Sequence, residues 1–153
     1  IMTTGARQWA SFHSEHRQIP HLRALHPNPE FEIAPETAER YGIKQGDWCW
    51  IENHLGRVQL KANVQPILAP SNISLDHAWW FPERNPEDEG TGCYDTYVSN
   101  ANVIIEAGCG ESGFGNNCKS HMCRVYSCEP EEIIGDTDMD KIVERFAMNE
   151  ELV

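Results

Sequence analysis

Thr3-Thr4-Gly5-Ala6-Arg7 is followed closely by Phe12-His13-Ser14-Glu15-His16-Arg17-Gln18, so a glycine turn, two arginines, two histidines and several hydroxyls share one short stretch. Gly5 lets backbone N–H groups approach a ligand, and the forked guanidiniums of Arg7 and Arg17 suit a phosphate or a planar heterocycle. This is the chemistry of an anion site of dinucleotide type. The same residues also fit a plainer description, surface arginines and core-edge histidines in a loop. His13 and His16 are spaced as a metal pair, but no third ligand stands at a defined spacing from them.

The charge distribution points to the same segment. The 153 residues carry a formal charge of -12, and residues 129–153 hold nine acids against Lys141 and Arg145, a net of -7. Residues 1–29 run the other way, with Arg7, Arg17 and Arg23 against Glu15 alone and four of the seven histidines. An anionic ligand is expected there, whereas general nucleic-acid or membrane-surface binding works against the global field. No apolar run reaches the roughly 18 to 20 residues of a spanning helix, and the opening lacks the layout of a signal peptide. Direct membrane insertion is therefore not expected.

Cysteines stand at 49, 93, 109, 118, 123 and 128, with the last four separated by eight, four and four residues. This is no C-x-x-C pair, zinc ribbon or ferredoxin run, and it reads as free, reduced, structural thiols. A metal held by Cys118, Cys123 and Cys128 is the alternative, and four-residue gaps are awkward for a closed tetrahedral site.

The elements that must position these groups are short. Ile1–Gly5 reads as the end of a strand running into a glycine turn, as if a domain had been cut from the C-terminal part of a larger polypeptide. Residues 19–25 form a short helix that ends before Pro27, and Phe31-Glu32-Ile33 is extended. Pro35 at a first helical turn, Glu36, Glu39 and the stop at Gly42 give a two-turn helix over 35–41. Trp48–Glu52, the turn Asn53–Gly56 and the alternating 57–64 segment form a β-hairpin. Ile73, Leu75 and Val103-Ile104-Ile105 supply further strands, with a loop rich in Pro, Glu and Gly from Pro82 to Gly92. Met139, Ile142, Val143 and Phe146 mark an amphipathic helix capped from Asp136, Thr137 or Asp138, its acidic face solvated. The expectation is a mainly β barrel or sandwich over 1–128, followed by an acidic extension over 129–153.

Thr3-Thr4-Gly5-x-Arg7, His13–Gln18, Pro35-Glu36-x-Ala38-x-x-x-Gly42-Ile43-x-x-Gly46-Asp47, the strand pair, His77-Ala78-Trp79-Trp80-Phe81-Pro82-Glu83 and Ser99-Asn100-x-Asn102 occur in this order. Together they resemble the molybdopterin dinucleotide-binding domain that closes catalytic subunits of the dimethyl sulfoxide reductase superfamily of molybdenum and tungsten oxidoreductases. The Trp-Trp-Phe-Pro-Glu run is similar to the branch with thiosulfate and polysulfide reductases and acetylene hydratase. The resemblance implies a double-psi β-barrel, of the aspartate decarboxylase-like kind, with short connecting helices and a C-terminal helix. Such a domain covers a bis-pterin guanine dinucleotide cofactor carrying molybdenum or tungsten. It also implies that Thr4, Gly5 and Arg7 face one dinucleotide and that His13, Ser14, Glu15, His16, Arg17 and Gln18 reach the pterin and pyrophosphate. Asn102 would take the family's late polar position, and Lys119 would approach a pterin, with Asn102 as a plain turn cap and Lys119 as a solvated lysine the alternatives. His13, His16 or Lys119 would tune the redox potential through hydrogen bonds to the pterin.

The implied partners are the N-terminal and pterin-binding domains of the parent subunit and an iron–sulfur electron-transfer subunit, in a prokaryotic cytoplasm or periplasm. The metal's protein ligand lies in those other domains, so no catalytic or metal-ligating residue is assigned to this chain. The isolated chain is expected to be inactive and to carry no molybdenum, tungsten or cofactor. Residues 1–18 and 100–119 are expected to converge on one concave face. Trp79, Trp80 and Phe81 are expected in the core or against a neighbouring domain. The competing function is a stand-alone binding module on the same barrel without a cofactor. A self-processing decarboxylase would need a Gly-Ser cleavage pair, and the chain has none.

Overall fold

In the computed structural model, residues 1–5, 8–66, 68–84, 93–108 and 119–147 are described. The elements run β1 (Met2–Thr4), α1 (Pro20–Leu25), β2 (Glu30–Ile33), α2 (Pro35–Tyr41), β3 (Trp48–Asn53), β4 (Gly56–Val64), β5 (Ile73–Leu75), α3 (Thr96–Ser99), β6 (Arg124–Ser127) and α4 (Met139–Phe146). Short 3-10 turns lie at Cys93–Asp95, Ala101–Ile104 and Pro130–Glu132. The chain is mostly β, with few helices.

The strands form one mixed sheet in the order β1-β5-β2-β4-β3-β6. Neighbours β1–β5 and β2–β4 are parallel, and β2–β5, β3–β4 and β3–β6 are antiparallel. The sheet curls until its edges meet. Met2 and His121, just ahead of β6, exchange backbone hydrogen bonds of 2.8 and 3.1 Å. The curl ends at this single bridge and leaves β6 without a strand on its outer side among the described residues, a half-barrel with one short edge. It also brings the end of β1 and the lead into β6 to one rim of the barrel.

Inside lie Phe31, Ile33, Ile51, Val58, Leu60, Ile73, Leu75 and Ile104, all nearly inaccessible. A second cluster, Trp48, Trp79 and Phe81, forms a separate core. Trp79 and Phe81 are thus buried as expected, while Trp80 is half-buried.

Local signals place α2 well. Pro35 opens it, and Gly42 ends it in a left-handed conformation at φ 69°, with its N–H returning to Ala38 and Glu39. The third apolar run departs from expectation: Ala101–Ile104 is a 3-10 turn and not a strand. The Asn100 side chain accepts the Asn102 N–H at 3.0 Å, which starts a helical turn where β-branched residues favour extension. Only Ile105 is extended. The Pro82–Gly92 loop is described only through Arg84.

The polar face of the hairpin is also not solvated as alternation suggests. Residues 132–137 cross it as a strap. Gln59, 1% exposed, donates to the Glu132 carbonyl at 2.7 Å and accepts the Ile134 N–H at 3.1 Å. The Trp48 and Trp50 indoles donate to the Asp136 and Glu132 carboxylates at 3.0 and 2.9 Å. Lys61 and Arg57 pair with the same two acids. Beyond the strap, α4 packs against α1. Asp138 caps α4 by accepting the Lys141 N–H at 3.1 Å, and Ile142 is fully buried. Among the described residues no helix is long and apolar enough to cross a membrane.

Candidate functional site

At the rim, β1 runs directly into Gly5, which takes φ +88°, a conformation that costs glycine little and a side chain much. Lys119 Nζ donates to the Thr4 carbonyl at 2.6 Å, and a Cβ on Gly5 would lie 3.9 Å from that Nζ. Residues 115 positions apart therefore share one corner. Thr4 is buried, and its hydroxyl has no hydrogen-bond partner among the described residues.

The following loop folds back through a bridge between Phe12 and Glu15. His13 and His16 take positive φ values of 52° and 74°, the sparsely populated backbone that recurs at ligand clamps. His13 Nδ1 lies 3.0 Å from His77 Nε2. The Trp80 indole donates to the Ser14 carbonyl at 2.7 Å and pins the bend. Glu15 is exposed and lies 3.9 Å from the His16 ring.

Arg17 is the centre of this loop. It is 2% exposed, donates to the His13 carbonyl at 2.5 Å and to the His77 carbonyl at 3.1 Å, and stands over the Trp79 ring at 4.6 Å. Burial pushes its pKa down to about 10, opposed by the charge of Asp76. Among the described residues no carboxylate lies within ion-pair distance of it, and its Nε is buried without a partner. Gln18 is half-buried, with its Oε1 likewise unpartnered. Arg7 lies outside the described residues.

Asn102 is exposed on the 3-10 turn, and its N–H bonds to Asn100 and not to the opening loop. The turn packs on β4, where Val103 lies 3.7 Å from a Cβ on Gly56. The geometry thus joins Thr4, Gly5 and Lys119 in one group and His13, Ser14 and Arg17 in another.

Beneath the loop, Asp76 was not singled out by sequence reasoning, and Arg23 and His26 entered it only as part of the basic, histidine-rich opening segment. Asp76, 3% exposed, accepts the Glu30 N–H at 2.9 Å, bonds the His26 ring at 2.6 Å and receives the Gln8 amide. Burial lowers the His26 pKa, but the bond to Asp76 and its charge outweigh this and the net shift is upward. Arg23 is 1% exposed, also stands 4.6 Å from the Trp79 centroid, and faces Glu83 at 3.4 Å. Burial outweighs pairing for both partners: Arg23 falls to about 10 and Glu83 is raised. The signal for Arg23 is its place in α1, where an arginine among apolar residues faces the body of the domain. Among the described residues no cluster of three His, Cys, Asp or Glu side chains forms a metal site. Cys49, Cys93, Cys123 and Cys128 are free thiols, and burial pushes Cys49 and Cys128 up to about 12. Cys109 and Cys118 lie outside the described residues.

Set beside known proteins, residues 1–121 match the family model described as the Molydopterin dinucleotide binding domain. Dopamine dehydroxylase of Eggerthella lenta is 39% identical over 130 residues, which is 84% of this chain and 12% of that protein. Dimethyl sulfoxide reductase DmsA of Escherichia coli is 32% identical over 100 residues, 65% of this chain and 12% of that protein. The solved acetylene hydratase from Pelobacter acetylenicus superposes with a TM-score of 0.74 at 24% identity, covering 83% of this chain and 18% of that one. The chain spans about an eighth of the length of the first two.

Proposed function

Because the chain belongs to the molybdopterin dinucleotide-binding domain family, we propose that it covers a bis-pterin guanine dinucleotide carrying molybdenum or tungsten in a larger oxidoreductase subunit. Arg17 carries this reading. A buried guanidinium that bonds only neutral carbonyls, with no carboxylate at ion-pair distance among the described residues, is completed by an anionic ligand. Thr4 Oγ1, Gln18 Oε1 and Arg17 Nε add buried polar atoms that lack a partner among the described residues, so the residues present fit a polar, phosphate-bearing group.

In this reading the bound cofactor supplies electron transfer at its metal, and the chain supplies position and charge. Gly5 lets the backbone approach, Arg17 neutralises phosphate charge, and Lys119 holds the β1 end while contributing a second cation. His13 and His16 present imidazoles for hydrogen bonds to a pterin, and Ser14, Glu15, Asn102 and Arg7 complete the contact set. The remaining domains of the parent subunit hold the metal's protein ligand, and an iron–sulfur subunit passes electrons. The relatives include a dehydroxylase, a sulfoxide reductase and a hydratase, so the reaction itself is set elsewhere in the subunit.

The test compares Arg17→Ala with Arg40→Ala in the full-length protein. Arg40 is exposed on α2 and pairs with Glu36 four residues away. Losing a charged hydrogen bond costs about 1.5 to 3 kcal/mol, so Arg17→Ala should weaken cofactor retention roughly tenfold or more. Arg40→Ala should leave it unchanged. Pterin content and metal occupancy per subunit are the readout. Equal occupancy in both variants would reduce the loop to ordinary surface and favour a barrel module without cofactor.

A further inference from the structure

The strap, which lies beyond the family-matched residues, reaches the anion site through a continuous set of contacts. Thr137 Oγ1 accepts from Arg23 Nη2 at 2.6 Å and donates to the Pro27 carbonyl, and the Thr137 N–H donates to Asn28 Oδ1 at 2.8 Å. Arg84 Nη2 reaches the Gly135 carbonyl at 2.9 Å, while its Nη1 pairs with Asp95 at 2.7 Å. Arg23 stands 5.5 Å from the Phe81 centroid and Arg84 stands 3.9 Å from it. Arg23 is also over Trp79, the ring on which Arg17 stands.

Strap, Arg23, Trp79 and Arg17 thus form an unbroken line, and every member after the strap is nearly fully buried. We propose that Thr137 is a positioning residue for the anion site: it fixes the Arg23 guanidinium, which fixes the Trp79 ring as the platform for Arg17. This rests on Arg17 being a cofactor contact, as proposed above. The physical reason for a tether is the lateral freedom of a cation–π pair, in which the ring face directs the guanidinium but does not fix its rotation. A hydroxyl that is held at both its oxygen lone pair and its proton supplies that missing constraint. Arg23 Nε and Nη1 have no partner among the described residues, so Thr137 and Glu83 alone set its orientation there.

In the full-length protein, Thr137→Val keeps the side-chain shape and removes the hydroxyl, while Thr137→Ser restores it. Cofactor release after dilution is followed by free pterin fluorescence, beside the denaturation midpoint of each variant. Thr137→Val is expected to speed release by roughly threefold to tenfold, the range of one neutral to charged hydrogen bond, and Thr137→Ser to return it to the parental rate. Val143→Ala, on the exposed side of α4, controls for general loosening of the tail and should leave release unchanged. If Thr137→Val does not accumulate, Thr137→Ala is measured in its place with the same expected direction. Release unchanged in the hydroxyl-less variant, while Arg17→Ala loses cofactor, would overturn the positioning role and leave the cofactor reading standing. Retention in Arg17→Ala as well would remove the reading itself.

Discussion

At the scale of single residues, the molecule separates charges that are answered from charges that are not. Arg84 meets Asp95, and Arg23 meets Glu83 and Thr137, but among the described residues Arg17 meets only carbonyls and an aromatic face. His26 belongs to the answered set, and its upward pKa shift gives a pH signature. Asp76 faces it directly, with Glu30 adding negative charge and Arg17 positive. Because the folded-state pKa lies above the unfolded value, the contribution is complete below about pH 6.5 and is lost as pH rises through the folded pKa. The urea midpoint of the chain should therefore fall between about pH 6 and pH 8 more steeply than that of His26→Gln. Parallel midpoint curves for the two proteins would show that the imidazole carries no net coupling. Glu30 is also raised, by burial first, and its stabilisation fades in a more acidic window, so the two groups separate on the pH axis.

At the scale of elements, signals that act within a single turn are the ones the chain follows. Helix α2 was legible because Pro35 and Gly42 act within their own turns, and the β3–β4 hairpin because Asn53–Gly56 separates two β-rich runs. Val103–Ile105 was misread because one side-chain acceptor, Asn100, outweighed β-branched propensity. The strap was illegible for a different reason: Gln59, Trp48 and Trp50 find their partners more than 70 positions away, and no local pattern encodes that. Of the candidate site, the loop and Lys119 could be named from the sequence, whereas Arg23 and Asp76 beneath them act only through the fold. Helix α4 shows the same limit. Its periodicity marks Ile142 and Val143 alike, yet Ile142 is fully buried and Val143 is 48% exposed. Ile142→Ala should cost about 2 to 5 kcal/mol, since the vacated volume against α1 cannot fully close. Val143→Ala should stay within about 0.5 kcal/mol. Equal, small losses in urea unfolding would mean that α4 is not docked.

At the scale of the whole molecule, the acidic tail and the barrel are complementary, not merely adjacent. Residues 129–153 concentrate a net charge of -7. Asp136 and Glu132 place part of it against Lys61 and Arg57, which themselves lie over Trp48 and Trp50 at 5.7 and 3.9 Å. Removing the tail would strip three covers at once: the acceptors of two indoles, the partners of the buried Gln59 amide, and the hydroxyl and carbonyl that hold Arg23 and Arg84. A buried amide left unpaired costs about 1 to 3 kcal/mol, and a charged group costs more. Newly exposed tryptophans would also add an apolar patch of the kind that drives association. A stop codon after Cys128 keeps every family-matched residue and every candidate site residue, yet it should lower soluble yield severalfold and release cofactor from what remains soluble. Soluble fraction and pterin content of the truncated full-length protein are the measurements. A truncated protein as soluble and as loaded as the parent would mean that the barrel is complete without its strap, and that the contacts of residues 132–137 follow the fold and do not support it.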